Sequence, residues 1–437
     1  MKKHLSAILA LALALVLLMS ACSPAASNPT NTPGNPDSNP GQQQENPPAD
    51  QPITITYSNF NASGGNEETL QRMYEAFHQE YPNITVEIET IASSDYFTQL
   101  QTRVAGGTAP DCFELNIENF AAYANKGALA EITGVDLSGL DETSLKAFNV
   151  GGKQYGLPGN FSNVVLFYNK DLFDQASIDY PTADWTQDDL QKAAEAIRAL
   201  GDDIYGYYQP LTYNEFYKVV AQFGGSLLNE GKTEFTINTP ENVAAAQMMA
   251  DRILASNVQP TEVQMGGIGD WDLFMSGRLG MMPTGIWAFN TFTEGCKFAW
   301  DITVEPGKNQ KATHFFSNAC CINASADADK QAAAATWITW LTSSDKSAAI
   351  RIEAGWDLPA IKDQATLSAY LDITPPANRQ AVFDSLNYLV VPPVIEDYSM
   401  MSDIIGQKLA AAAAGTITAQ EALDQAQSEC QAQISLK

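Results

Sequence analysis

The alternation of strand and helix patterns along most of the chain limits the possible folds more than any other feature. Segments 53–60, 84–90 and 111–116 carry the alternating or continuous apolar pattern of β-strands. Between them, segments 66–81 and 93–105 repeat apolar residues at helical spacing and end at Pro82 and at Gly106-Gly107. Strands and helices in this order predict an α/β fold whose parallel strands are joined by helical crossovers.

The same pattern resumes beyond residue 160 and extends to the end of the sequence. Further helices are predicted over 186–200, 239–256, 330–344 and 419–434. Trp337 and Trp340 lie on an alanine-rich stretch of the third of these helices, so we expect them in the core. Residues 53–437 are enough for two lobes with a large buried interior.

The first residues have the parts of an export signal rather than of a membrane span. Segment 1–21 contains a basic start, an apolar run and small residues before Cys22. The apolar run is shorter than the roughly 20 residues that a spanning helix needs. The sequence MSAC (19–22) resembles the lipobox of bacterial lipoproteins, which implies that the Cys22 thiol takes a diacylglycerol anchor. The alternative is an ordinary secreted protein in which Cys22 stands there by chance.

Residues 22–52 are expected to hold this anchor and a disordered linker. From Ser23 to Pro52 the chain has no Val, Ile, Leu, Met or aromatic residue, and it is rich in Pro, Asn, Gln and Ser. Such a segment has no apolar surface to offset its conformational entropy. The folded body is therefore predicted to begin at Ile53.

Charge and cysteine content exclude several classes of partner and site. The chain has 24 Lys and Arg against 51 Asp and Glu, a formal charge of −27, which repels nucleic acid and anionic lipid headgroups. The cysteines of the folded body show no disulfide spacing, so buried free thiols are predicted, with one disulfide through Cys296 or Cys430 as the alternative. With three histidines and no CxxC motif, we expect no metal and no cofactor.

Four segments of the body carry recognisable motifs. They are GGKQYGLPGNFSNVVLFYNKDLFDQA (151–176), WDLFMSGRLGMMPTGIWAF (271–289), APDCFELNIENFAAYANKGALAEIT (109–133) and AGTITAQEALDQAQ (414–427). Together they resemble one family of transport proteins, the extracellular solute-binding proteins that include the maltose-binding protein. The similarity runs through nearly all of 53–437 in the family's order. It implies a two-lobed periplasmic-binding-protein-like fold, each lobe a mainly parallel sheet flanked by helices, with the ligand cleft between the lobes.

The resemblance also implies that the chain crosses between the lobes three times. The crossings are expected at GLPGNFSN (156–163), near 308–315 and after Asp372. The expected segments are 53–160 and 311–372 for lobe 1, and 161–310 and 373–437 for lobe 2.

The resemblance and the predicted strand ends together give candidate ligand contacts. Trp287 matches the family's stacking aromatic, after a predicted strand at 279–282 and a predicted turn at Pro283-Thr284-Gly285; the alternative is a core tryptophan. Leu115 stands where maltose binders place an aromatic residue, so the resemblance does not imply maltodextrin itself. The remaining candidates are Asn59 and Phe60 after the first strand, Glu114, Asn116 and Glu118 after the third, Asn160 and Phe161 at the first crossing, Tyr213, Asn214 and Tyr217, and Trp356 and Asp357 overhanging the cleft from lobe 1.

These observations predict a lipid-anchored binding protein on the outer face of a bacterial cytoplasmic membrane. It would act as a monomer, close its lobes on a mono- or oligosaccharide and deliver it to the permease subunits of an ABC transporter. The chain has no GxSxG, HExxH or P-loop motif, so we expect no catalytic residues. The alternatives are a surface carbohydrate-active enzyme, or a binding protein for a polyol phosphodiester, a peptide or a polyamine.

Overall fold

The computed structural model describes residues 51–436 apart from Val394, without the side chains of Thr143 and of residues 364–367. The predicted export signal (1–21), the anchor at Cys22 and nearly all of the linker lie outside the described residues. Within the described part, no helix combines the length and the apolar character that crossing a bilayer would require.

The strands are numbered along the described chain. They are β1 (Ile53–Asn59), β2 (Ile84–Thr90), β3 (Cys112–Asn116), β4 (Asn149–Val150), β5 (Lys153–Gln154), β6 (Gly156–Asn169), β7 (Tyr205–Tyr207), β8 (Leu279–Gly285), β9 (Trp300–Thr303), β10 (Thr313–Ile322) and β11 (Leu389–Val390).

The helices of the described chain are numbered in the same way. They are α1 (Glu67–Glu80), α2 (Ser93–Ala105), α3 (Ile117–Asn125), α4 (Glu142–Ala147), α5 (Lys170–Ala176), α6 (Gln187–Arg198), α7 (Tyr213–Gln222), α8 (Pro240–Leu254), α9 (Glu262–Met265), α10 (Asp270–Met275), α11 (Phe289–Gly295), α12 (Ala328–Ser343), α13 (Asp345–Glu353), α14 (Gln364–Leu371), α15 (Gln380–Asp384), α16 (Tyr398–Ala413) and α17 (Ala419–Gln433), with short 3₁₀ turns at Ile286–Ala288 and Ser385–Tyr388.

The first part of the sheet, which we call lobe 1 with the helices around it, is built as the sequence pattern predicts. β1 pairs in parallel with β2 on one side and with β3 on the other. The apolar face of α1 buries Leu70, Met73 and Phe77. Trp337 and Trp340 are buried in the same core, which confirms the prediction made for them. The α/β fold class is confirmed.

The second part of the sheet, lobe 2, contains β7, β8 and β9. β7 is parallel to β8, whereas β8 and β9 both pair antiparallel with the C-terminal half of β6. Residues 283–285 continue β8 as far as the pair Gly285–Val164, so the predicted turn there is wrong. The strand persists because β6 provides a pairing partner for each of these residues.

Two long strands, β6 and β10, connect the two parts of the sheet. They pair antiparallel with each other, and the register shifts between Asn318 and Ala319, opposite Gly159. β10 also pairs with β3 from Asn318 onward, and β6 pairs with β8 from Val164 onward. Between these points, residues 161–163 and 315–317 pair with each other, and we call this short two-stranded segment the connecting ribbon.

The helices of lobe 2 form a second core. α7, α8, α16 and α17 pack together through apolar residues such as Phe216 and Met249, and this packing fixes where α7 and α16 begin.

The cysteines of the described chain are free: Cys112, Cys320, Cys321 and Cys430 are buried and Cys296 is half-buried. The prediction of free thiols is confirmed, and burial raises the pKa of Cys320 to about 12.

Candidate ligand cleft

The carboxyl ends of the parallel strands bring the candidate residues to one region. In lobe 1, β1 is followed by Phe60 and Asn61, and β3 is followed by Glu118 in the first turn of α3. In lobe 2, β7 and β8 are followed by Tyr208 and Trp287. Ligands of open α/β sheets bind outside the carboxyl ends of strands, so this region is the expected binding site.

An open cavity of about 360 Å³ lies where residues from both lobes meet. Its lining is polar and aromatic, and its acidic members are Glu118 and Asp403. No Lys or Arg is found among the described residues that line it. The lining residues are Asn116, Glu118 and Asn119 from lobe 1, and Thr212, Tyr213, Asn214, Tyr398, Ser402 and Asp403 from lobe 2.

Three helices have their N-termini at this cavity. α3 begins at Ile117, α7 at Tyr213 and α16 at Tyr398. The first backbone N–H groups of a helix have no partner within the helix, so they are available as donors to a ligand. The Asn116 side chain takes one of them, because it accepts hydrogen bonds from the N and the Nδ2 of Asn119 at 3.2 and 2.8 Å.

A row of aromatic rings runs from Trp287 to the cavity, and we call it the aromatic row. Trp287 is 44 % exposed, Phe316 and Tyr398 are half-buried, and the other rings are buried. The centroid distances along the row are 5.5 Å for Trp287–Phe316, 5.0 Å for Phe316–His314, 5.1 Å for His314–Tyr217, 5.8 Å for Tyr217–Tyr213 and 5.8 Å for Tyr213–Tyr398.

The Glu118 carboxyl group lacks a cationic partner among the described residues. Its half-buried position raises its pKa to about 7. Burial first, and then the charge of Glu118, raises the pKa values of Tyr217 and Tyr398. The Tyr217 hydroxyl group is buried and has no hydrogen-bond partner in the described part of the chain. Glu118 lines the cavity and is thus a polar group that the protein itself leaves available, whereas the Tyr217 hydroxyl group is buried.

Two polar candidates at strand ends of lobe 1, Asn59 and Glu114, are engaged by the protein. Asn59 is fully buried; its amide donates to Thr90 Oγ1 at 3.0 Å and its carbonyl accepts from Ala62 N at 3.2 Å. Glu114 is buried and accepts from the backbone N–H groups of Phe60 and Asn61 at 3.2 and 3.1 Å. These contacts fix the loop after β1.

A buried ion pair holds the base of the same loop. Asp357 accepts from Arg351 Nη1 at 2.7 Å, from Asn160 Nδ2 at 2.7 Å and from Asn61 Nδ2 at 2.9 Å. We expected Trp356 to overhang the cleft, but its ring is 6 % exposed. It is buried because the Arg351 guanidinium group covers it at 4.6 Å and the lobe 1 core surrounds it.

The remaining candidates, Phe60, Phe161 and Asn214, differ in how exposed they are. Phe60 is half-buried against Tyr96 and Phe97, with centroids 5.1 Å away in each case. Phe161 is buried in the connecting ribbon and donates its N–H to Leu358 O at 3.0 Å. Asn214 is exposed at the start of α7.

A buried network of charged residues lies next to His314 of the aromatic row. Lys218 Nζ lies 2.7 Å from Glu215 Oε2 and 2.6 Å from Glu305 Oε2. His314 Nε2 lies 2.7 Å from Asn214 O, and burial lowers the His314 pKa to about 4, so its ring is neutral at pH 7 and Nε2–H donates. The network connects α7 to β10 and so fixes Tyr217 relative to the connecting ribbon.

Several lining residues were not predicted from the sequence. Phe316 lies in β10 and reaches the row beside Trp287, and Tyr398, Ser402 and Asp403 lie on α16. No helix was predicted from the sequence at α16, and nothing local indicated that its start meets α3 across the cleft. Among the described residues, no cluster of His, Cys, Asp or Glu could hold a metal ion.

Two halves of a sheet, joined by long strands and enclosing a cleft at their strand ends, define a two-lobed solute-binding protein. The chain belongs to the bacterial extracellular solute-binding protein family, whose model matches residues 72–373. An ABC substrate-binding protein of Listeria monocytogenes, solved in complex with cycloalternan, is 44% identical with a TM-score of 0.82, over 87% of this chain and 98% of that protein.

More distant relatives match the chain as well. The cyclic alpha-maltosyl-1,6-maltose binding protein of Arthrobacter globiformis is 23% identical with a TM-score of 0.73, over 87% of this chain and 98% of that protein. The galactooligosaccharide-binding protein of Bacillus subtilis is 24% identical over 83% of this chain and 86% of its own length. A relative from Brucella abortus is 28% identical, and the match spans 55% of this chain and 60% of that relative.

Proposed function

We propose that this protein is the sugar-binding component of an ABC importer and captures a neutral oligosaccharide in the cleft. The observation that carries this proposal is the aromatic row, which ends in the exposed ring of Trp287 and continues to a polar cavity without Lys or Arg among its described lining residues. A sugar has apolar ring faces and many hydroxyl groups, so it needs both features at once.

The length of the aromatic row favours more than one sugar ring. Trp287 and Tyr398 lie at opposite ends of a series of rings spaced 5.0–5.8 Å apart. The rings between Phe316 and Tyr398 are buried, so a ligand that contacts both accessible ends of the row must be longer than a single monosaccharide. The Listeria relative in complex with cycloalternan supports an oligosaccharide, and so does the name of the Bacillus relative.

The charges at the cavity argue against an anionic ligand. Glu118 and Asp403 would repel a phosphodiester or a sugar acid, and no described lining residue is cationic. The N-terminus of a helix attracts negative charge, and the Glu118 carboxylate in the first turn of α3 already provides it. Neutral hydroxyl groups can accept from the free N–H groups and donate to the carboxylates.

A polyamine is the second candidate because it would suit the same acids. Glu118 and Asp403 with Tyr213 and Tyr398 could hold a cation over aromatic faces. Against this, the raised pKa of Glu118 leaves it partly protonated at pH 7, so it is a weak anchor for a cation.

Closure of the two lobes about the connecting ribbon is the proposed mechanism. The ribbon is narrow, since residues 161–163 and 315–317 pair with each other between the two parts of the sheet. A ligand can drive closure only if it binds the closed form more tightly than the open form. The closed form would then be recognised by permease subunits in the membrane.

The proposed location is the outer face of the cytoplasmic membrane, where Cys22 holds the protein through a diacylglycerol group. The motif MSAC (19–22) and the apolar-free linker support this part of the proposal. The anchor would keep the binding protein within reach of its permease.

The test is calorimetric titration of residues 53–437 with cycloalternan, maltotetraose, spermidine, glycerophosphocholine and a neutral tripeptide. Binding of a neutral oligosaccharide, with a smaller radius of gyration by small-angle scattering at saturation, is the expected result. Binding of spermidine alone would establish the second candidate instead. An oligosaccharide that binds without any change in the radius of gyration would refute closure but not sugar binding.

A further inference from the structure

Gly285 ends β8 two residues before Trp287, and its backbone does not explain why a glycine stands there. Its φ of −75° and ψ of 154° describe extended backbone that any residue adopts. It is also buried, so exposure to solvent does not explain it. The reason must lie in what a side chain would meet.

A Cβ atom at position 285 would collide with the indole of Trp287. It would lie 2.1 Å from Cη2 and Cζ3 and 2.2 Å from Cε3, which all belong to the six-membered ring. Carbon atoms in contact are about 3.5–4.0 Å apart, so the ring and a Cβ atom cannot occupy these positions together. The indole is packed directly against the glycine backbone.

The backbone of Gly285 is less free to move than the ring. Gly285 pairs with Val164 of β6, and the preceding residues of β8 continue this ladder. β8 is also held by β7 on its other side. The Trp287 ring contacts Phe316, with ring centroids 5.5 Å apart, and is 44 % exposed. A side chain at 285 would therefore turn the ring rather than displace the strand.

We propose that Gly285 is a positioning residue that fixes the orientation of the Trp287 ring as a binding platform in the cleft. The absence of a Cβ atom lets the indole lie on the strand end, where it also contacts the Phe316 ring. The importance of this orientation for sugar binding rests on the proposed function; the packing of the ring on Gly285 does not.

The test compares Gly285→Ala in two backgrounds, the wild type and Trp287→Ala. Without ligand, acrylamide quenching of tryptophan fluorescence should change on Gly285→Ala in the wild type and not in the Trp287→Ala background. Because the second background lacks Trp287, the difference between the two backgrounds reports on that one of the 7 tryptophans. Gly139→Ala is the matched control, because a Cβ atom there meets nothing within 4 Å, and it should change neither signal nor affinity.

Affinity gives the second readout, measured with cycloalternan or the neutral oligosaccharide that binds in the titration above. Gly285→Ala should weaken binding about tenfold, or 1.4 kcal/mol, and should cause no further loss when Trp287 is already alanine. Losses that multiply in the double variant would overturn the inference.

The remaining outcomes are also decisive. Loss of folding on Gly285→Ala in both backgrounds would show that the glycine serves the sheet, and the inference would fall. If Gly285→Ala fails to fold only when Trp287 is present, the clash with that ring is confirmed. If wild-type protein binds no sugar, the proposed function fails, while the quenching comparison still decides the role of Gly285.

Discussion

Two regions beside the cleft, the loop after β1 in lobe 1 and the aromatic residues of lobe 2, differ in how far the protein itself engages their side chains. On the lobe 1 side, the carboxylates of Glu114 and Asp357 are buried and accept hydrogen bonds from the loop after β1. On the lobe 2 side, Trp287 is 44 % exposed and the Tyr217 hydroxyl group has no partner in the described part of the chain. A strand end thus places a residue near the cleft, but the neighbouring packing decides whether it is free to bind.

This difference separates residues that build the cleft from residues that we propose to face the ligand. The builders should affect stability, and the facing residues should affect affinity or its dependence on pH. The comparison would fail if one of the builders below changed affinity and not stability, or if one of the facing residues changed stability and not affinity.

The largest effect is expected for Asp357→Ala. The substitution leaves the Arg351 guanidinium group, 2 % exposed, without the carboxylate that it contacts at 2.7 Å. Removing one partner of a buried ion pair costs about 3–5 kcal/mol of the free energy of unfolding. Denaturant unfolding measures this loss.

The matched control is Glu353→Ala, which breaks an exposed ion pair with Arg72 at 2.9 Å. It should cost less than about 1 kcal/mol, because exposed pairs contribute little. If Asp357→Ala kept the wild-type unfolding free energy and lost sugar binding, Asp357 would belong to the facing residues and the comparison would fail on the lobe 1 side.

The fold could be predicted further from the sequence than the cleft could. Alternating patterns such as that of 53–60 and helical faces such as that of Leu70, Met73 and Phe77 are local, and they determined β1 and α1. The error at 283–285 arose because strand pairing with β6 is non-local. A proline and a glycine there suggested a turn, and only the register with Val164–Leu166 shows that β8 continues.

The roles of the cleft residues depend on partners that are distant in the sequence. Asp357 contacts Asn61 and Asn160, which lie 296 and 197 positions away. The burial of Trp356 depends on Arg351 and on the core around it. No local pattern reports such contacts, so the sequence did not show that the lobe 1 core covers Trp356.

An intermediate effect is expected from Glu118, and it depends on pH. Its pKa rises from the ordinary value of 4.5 to about 7 because the folded protein partly removes the carboxylate from water. Between these values the folded state holds more protons than the unfolded state, so the free energy of unfolding falls as pH increases. The loss between pH 4.5 and pH 8 should be about 1–3 kcal/mol.

Glu118→Gln removes the titrating group while keeping the shape of the side chain. Guanidinium unfolding at several pH values should show the variant gaining stability over the wild type as pH rises from 4.5 to 8. Glu114 also has a raised pKa, but it is present in both proteins and does not affect this difference. Parallel pH profiles of the two proteins would show that Glu118 is well solvated and not a group that the fold leaves confined in the cleft.

The smallest effect on stability, with a clear effect on affinity, is expected for Trp287→Ala. The ring touches Phe316 edge-on and is 44 % exposed, so its removal should cost under about 1.5 kcal/mol of the unfolding free energy. The loss of a stacking platform should weaken oligosaccharide binding by about 1–3 kcal/mol, by analogy with the stacking of other rings on aromatic side chains. Calorimetric titration and denaturant unfolding on one preparation give both numbers.

Trp337→Ala is the control with the opposite expectation, since that ring is fully buried and its removal should cost about 3–5 kcal/mol of stability. The affinity of the folded fraction of that control should be unchanged, because Trp337 packs on Phe77 in the lobe 1 core, away from the cleft. If Trp287→Ala behaved like the control, losing stability and keeping affinity, Trp287 would belong to the residues that build the cleft, and the contrast between the two sides would disappear.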